Sequence, residues 1–310
     1  MTLVAHSEAS FLATMPVAAV ARLVGEHDTR LWRIIIHYVE AALARLDLSD
    51  LRRVCIDETA AKRGHSYITL FVDIDRRKVV YIADGKDANT VAEFADHVDT
   101  HNSDASRIKQ VCIDMSGAFI KGVTENLTEA EITFDKFVMR NACLRHGVMK
   151  LIGEAVDAVR RGEAKERPEL KRTRYLWLEN EPNLSAGQSA QLGSLSQTNL
   201  KTARAYHLRL AFQDIYKERS RGWAEIFFDK WHSWARRCRL EPMKAVAATM
   251  ARHRDGILAW FDSHIANGLI EGINSLVQAA KAKARGYRSK RNLKAVTYLI
   301  AGKLDLKLPT

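Results

Sequence analysis

Two short apolar runs, Val54-Cys55-Ile56 and Val111-Cys112-Ile113, each lead straight into an aspartate, Asp57 and Asp114. If the runs form neighbouring strands, both carboxylates lie at one sheet edge. Two carboxylates at close range repel each other unless one is protonated or a cation sits between them. Hard oxygen ligands of this kind suit Mg²⁺ or Mn²⁺. One more acid would let two ions flank a phosphodiester during in-line displacement. Either Asp alone reads most simply as a strand end; the matched contexts are what make the pair a candidate site.

A third acid stands far along the chain. From Asn267, polar residues recur at Glu271, Asn274, Gln278, Lys281 and Arg285. Alternating steps of four and three put all six on one helical face. One carboxylate is thus followed by amides and then by cations, as a metal-bound phosphate with a trailing nucleic-acid backbone would require. The alternative is an ordinary amphipathic helix with a wet face. Leu269, Ile273, Leu276 and Ala280 are expected to pack on the sheet. Glu58 should point to the face opposite Asp57. Asp73 and Asp75 read as hairpin residues, and Asp135 as either a cap or a neighbour of the acidic pair. No HExxH motif, P-loop or GxGxxG fingerprint occurs, and no zinc is expected.

The elements that must position these groups follow from periodicity. Residues 11–46 read as two helices broken at Gly25, with Thr29 as the expected cap of the second; the pair permits a helix-turn-helix. Strands are expected at 54–56, 67–72, 78–82, 110–113 and 130–134, with helices over 90–98 and after Ser116. The order β-β-β-α-β-α-β gives a mixed sheet with helices on its faces. Residues 146–262 read as helical throughout and hold Trp177, Trp223, Trp231, Trp234 and Trp260.

With 310 residues, 47% hydrophobic, 16 Gly and 5 Pro, the chain is neither disordered nor collagen-like. No apolar run is long enough for a membrane span, and no secretory signal is visible. Cys55, Cys112, Cys143 and Cys238 form no CxxC pair, which suggests reduced thiols and a cytoplasmic setting. The formal charge of +11 is concentrated in the C-terminal two-thirds. Residues 281–294 hold Lys281, Lys283, Arg285, Arg288, Lys290, Arg291 and Lys294 without an acid. Such one-sided charge favours a polyanion, most simply nucleic acid.

Five ordered motifs resemble the DDE transposases of the ISL-three family of bacterial insertion sequences. They are Ile56-Asp57-Glu58-Thr59-Ala60 with Arg63-Gly64-His65-Ser66-Tyr67; Ile113-Asp114-Met115-Ser116; Thr133-Phe134-Asp135-Lys136-Phe137; Leu170-Lys171-Arg172-Thr173-Arg174-Tyr175; and Asn267 to Asn274 followed by Arg285-Gly286-Tyr287-Arg288. The resemblance implies an α/β fold with an RNase H-like mixed-sheet core interrupted by a large all-helical insertion. It divides the chain into a helix-turn-helix-like segment (1–50), the first part of the core (51–150), the insertion (151–262) and closing helices with a basic tail (263–310). It implies Asp57, Asp114 and Glu271 as catalytic ligands of two Mg²⁺ (or Mn²⁺) ions, with Asp135, His146 and Asn274 around them. Lys281, Arg285, Arg288, Lys290 and Arg291 would hold DNA. The implied activity is metal-dependent cleavage and transfer of double-stranded DNA at transposon ends and target, by a homo-oligomer acting in the cytoplasm at the nucleoid, with no membrane partner. The alternatives are an inactive, truncated transposase-derived DNA-binding protein and a related RNase H-like nuclease. Family members usually begin with a zinc-binding segment, whereas this chain starts at what reads as the last helix-turn-helix. Val138-Met139 and Val148-Met149 also bracket what reads as an extra segment of about ten residues, roughly three helical turns.

Overall fold

The computed structural model describes residues 15–62, 64–136, 147–151, 153, 173, 175–177, 179, 183–197, 201–265 and 267–308. The apparent extra segment and His146 lie outside the described residues. The chain divides into two units, one formed by Met1–Thr133 with Ile265–Thr310 and the other by Phe134–His264.

The first unit is α/β. Helices α1 (Val17–Val24) and α2 (Asp28–Leu43) precede strands β1 (Arg53–Lys62), β2 (Ser66–Asp73) and β3 (Lys78–Asp84). Helix α3 (Asn89–Asp99), β4 (Gln110–Ile113), α4 (Gly117–Asn126) and β5 (Glu131–Phe134) follow. The sheet order is β3-β2-β1-β4-β5, with β1 antiparallel to β2 and parallel to β4. The mixed sheet and its element order agree with the periodicity of the sequence. Strand β1 does not: it continues past Ile56 to Lys62, because β2 pairs with it as far as Lys62↔Ser66. Asp57 therefore lies within β1. It is also just beyond the last pair with β4, Cys55↔Cys112, where the two parallel strands part.

Strand alternation sorts the core. Cys55, Ala61, Leu70, Val72, Val79 and Cys112 face α1, α2 and the two closing helices Gly268–Lys283 and Lys290–Ala301. On the opposite face Phe71 stacks on Phe94 of α3, with ring centroids 4.3 Å apart. Helices α3 and α4 meet there at Gly122, where a Cβ would lie 2.8 Å from the Ala88 carbonyl oxygen. Gly25 ends α1 with φ 69°, a left-handed conformation that glycine adopts without a Cβ clash. Thr29 is not the cap of α2: His27 takes that place and accepts the Thr29 N–H through Nδ1. Val17, Val20, Ile35 and Val39 of this helical pair belong to the same core as the sheet.

On α3, His97 and His101 stand four residues apart and stack, centroids 3.9 Å apart, with Tyr81 against His97. Burial, reinforced by the neighbouring His101, pushes His97 down to about 4. The unfolded chain then takes up a proton near pH 6.5 that the folded one refuses. Stability is expected to fall as pH drops from about 6.5 to about 4, by about 1–2 kcal/mol once partial solvent screening is allowed for. His97→Phe should flatten that slope in urea unfolding at pH 7 and pH 5.

In the second unit the described elements include the α-helices α5 (Ala186–Ser196), α6 (Lys201–Gln213), α7 (Arg221–Arg237), α8 (Glu241–Arg252), α9 (Arg254–Leu258) and α10 (Trp260–Ser263), with a 3-10 turn at Asp214–Lys217. Their core gathers Trp177, Phe212, Phe228, Trp231 and Met243. A capping box at Ser185 and Gln188 starts α5. The chain then returns to the first unit through α11 (Gly268–Lys283) and α12 (Lys290–Ala301). Among the described residues no helix is long and apolar enough to cross a membrane.

Candidate active site

The site is built where β1 and β4 separate and α11 crosses β1. Helix α11 is amphipathic: Ile270, Ile273 and Val277 recur at three- and four-residue steps and are buried in the core. Leu276, expected to pack as well, is 55% exposed. The buried stripe is centred on Ile270–Val277, which turns Leu276 outward. Glu271 also lies exposed on this helix.

Burying that stripe brings polar residues of the helix against the sheet. Asn267, the buried residue before the helix, accepts the Cys112 thiol hydrogen at 2.9 Å. Asn274 Nδ2 donates to Asp57 Oδ2 at 2.8 Å. Gln278 Nε2 donates to Thr59 Oγ1 at 2.7 Å and to the Ala60 carbonyl. Lys281 Nζ donates to that same carbonyl at 2.6 Å. Asn274, Gln278 and Lys281 thus tie to β1 itself. Asp57 Oδ1 accepts the Glu58 N–H at 2.9 Å. Asp114 Oδ1 accepts the Ser116 N–H at 2.8 Å, in the turn that starts α4.

Glu58 was passed over in the sequence because alternation sends it away from Asp57. Its carboxyl is pushed up by burial first and by the negative charge of Asp114 second, against the pull of Lys86, whose Nζ is 3.8 Å away. Glu58 and Asp114 therefore sense each other electrostatically. Acid at a strand terminus was a legible signal; a second acid across the strand edge required the third dimension.

The chemistry of the donors fits a hard divalent cation. Carboxylates supply oxygen ligands, and the buried Oδ1 of Asn274, beside Asp57, has no hydrogen-bond partner. The arrangement is not a closed cage: among the described residues no three His, Cys, Asp or Glu side chains form a group able to hold an ion. Asp57 and Asp114 are instead held by the local donors named above. Asp135 is buried and belongs to the second unit.

The basic residues divide. Arg285 and Arg288 are exposed beyond the end of α11, and Arg285 adopts φ 55° next to Gly286. Lys290 pairs with Asp84 at 3.8 Å and Arg291 with Glu40 at 2.7 Å. Such exposed pairs contribute about 0–1 kcal/mol and exchange readily for a phosphate. Lys62, Gln278, Lys281, Arg285 and Tyr287 line an open groove of about 660 Å³.

A family model described as transposase, that of the ISL3-type DDE enzymes, matches residues 54–297. The chain is 29% identical to the transposase for insertion sequence element IS1001 of Bordetella parapertussis, over 81% of this chain and 61% of that protein. It is also 29% identical to the transposase for insertion sequence element IS1557 of Mycobacterium tuberculosis (strain CDC 1551 / Oshkosh), over 93% of this chain and 70% of that protein. The matched stretch takes in β1, β4, α11 and most of α12, the same elements that carry the acidic residues and the basic turn; the chain belongs to the ISL3 family of DDE transposases.

Proposed function

We propose that this chain cleaves and joins DNA strands as the catalytic part of an insertion-sequence transposase. In this reading the mixed sheet with α11 and α12 is an RNase H-like core, and the helical stretch 151–262, within the second unit, is its insertion. Asp57, Asp114 and Glu271 would hold Mg²⁺ or Mn²⁺. The bound ions would supply an activated oxygen nucleophile and stabilise the leaving oxygen. The observation that carries the reading is the Asn274–Asp57 hydrogen bond. It docks the helix of Glu271 onto the strand of Asp57, next to the parallel strand that leads into Asp114.

The other residues have separable tasks. Asn274 orients one oxygen of Asp57, and the Glu58 N–H fixes the other. Gln278 and Lys281 lock the helix register against β1. Arg285, Arg288, Lys290 and Arg291 would hold the DNA backbone, giving affinity and salt dependence with little sequence information. Double-stranded DNA and a second copy of the chain are the partners proposed.

A second reading is favoured by the local pairing of Asp57 and Asp114: a DNA-binding protein without catalysis. Nicking of supercoiled plasmid in Mn²⁺ separates the two. The wild type should nick, and Glu271→Gln should be slower by about a hundredfold or more while duplex binding in EDTA persists. A wild type that binds duplex but never nicks leaves the second reading standing. Undiminished nicking by Glu271→Gln removes Glu271 from the site.

A further inference from the structure

Helix α7 carries two surfaces of opposite character. Its inner face, Ala224, Phe228, Trp231 and Ala235, is buried. The Trp231 indole N–H donates to the Leu208 carbonyl at 2.9 Å, as a core tryptophan should. Its outer face bears Trp223, 60% exposed, Ile226, 47% exposed, and Trp234, 46% exposed. At 100° per residue Trp223 and Trp234 lie about 20° apart around the axis and about 16 Å apart along it. Lys230 falls between them on that face, and Arg237 follows one turn on; both are exposed.

The acids of this helix are turned aside. Glu225 pairs with Arg221, and Asp229 with Arg254. The outer stripe thus presents indole faces and cations without a carboxylate among them. Exposing two large aromatics in water is unfavourable unless a partner covers them. A second copy of this helix is a poor partner. An antiparallel two-fold pairing of Trp223 with Trp234 sets both Lys230 ammoniums within one turn of the symmetry axis, where like charges repel. Paired duplex is also a poor partner for the indoles, because its bases are stacked inside and it offers mainly phosphates. Unpaired nucleotides offer both features needed: a π-face for each indole and a phosphate for each cation.

We infer that the outer face of α7 is a binding platform for single-stranded DNA, with unpaired bases stacked on Trp223 and Trp234 and the backbone held by Lys230 and Arg237. The inference rests on the proposed action on DNA and adds a site for unpaired nucleotides to it. Such nucleotides arise wherever cut or frayed ends leave the duplex.

The test measures binding of the full chain to a single-stranded oligonucleotide and to the matching duplex, in EDTA so that no cleavage intervenes. Tryptophan quenching reports stacking directly. Trp223→Ala and Trp234→Ala should each weaken single-strand binding about tenfold, with the duplex affected less than about threefold. Trp223→Phe should restore most of the loss, and Lys230→Ala should lower the salt slope by about 0.7. Unchanged single-strand affinity in the double alanine variant overturns the inference. So does an equal loss on both DNAs, or a dimer that dissociates on substitution while DNA binding stays intact. This binding assay contains no metal, so its outcome does not depend on catalysis; a wild type that fails to nick in Mn²⁺ would count against the catalytic reading alone.

Discussion

Asp57→Asn should reduce Mn²⁺-dependent nicking by about a thousandfold without lowering stability. Asp57 accepts hydrogen bonds from the Glu58 N–H and from Asn274 Nδ2. An asparagine can accept one and must donate in the other direction. The partner can accommodate that change, because the Asn274 amide can turn over and present Oδ1, which otherwise lies buried without a partner. The hydrogen-bonded junction between β1 and α11 therefore survives the loss of the negative charge. That separation makes the variant informative. Loss of nicking with an unchanged urea midpoint and unchanged duplex affinity in EDTA assigns the charge to chemistry. Nicking at the wild-type rate would show that Asp57 serves only the junction.

How far the sequence foretold this arrangement varies by element. The five strands and their order were legible because their apolar runs are short, rich in Val and Ile, and punctuated by Asp, Gly and Asn. The hairpin acids were legible too: Asp73 Oδ1 accepts the N–H groups of Asp75 and Arg76 in the turn. The length of β1 was not. Thr59-Ala60-Ala61-Lys62 has little strand character, and only pairing with β2 extends it. The six-residue polar stripe on α11 was visible as a period. Its direction was not, because a polar face can meet water or hydrogen-bonding partners on a strand equally well. Asn274 and Gln278 meet the strand. In the second unit the helices could be read, but not which tryptophans are inside. Trp231 and Trp234 are three residues apart, yet one is core and the other surface. The His97-x₃-His101 spacing stands in the sequence, although the motif reading finds no paired histidines. Its consequence, one histidine held neutral far below its usual range, depends on burial against Tyr81.

Ile270→Ala should destabilise the first unit by about 2–5 kcal/mol and impair nicking beyond what lost stability explains. Ile270 is fully buried, in the same cluster as Cys55, Cys112 and Ile265. Truncation removes three carbons from a packed site and leaves a cavity that the sheet, fixed by its ladder, can close only in part. Against a typical total of about 5–15 kcal/mol, that is a large fraction. The same side chain seats the first turn of α11, one position before Glu271 and four before Asn274. A helix that settles toward the cavity strains the 2.8 Å bond to Asp57, and misplacement of about 1 Å at a reacting centre costs about a hundredfold in rate. Leu276→Ala supplies the control. It lies on the same helix but is 55% exposed, so its urea midpoint should stay within about 0.5 kcal/mol of wild type. Nicking is compared at a temperature where both variants remain folded by circular dichroism. If Ile270→Ala loses stability but nicks at the wild-type rate there, the packing of α11 holds the fold together without setting the geometry of the acids. If both variants lose stability equally, the assignment of the inner and outer faces of α11 is wrong.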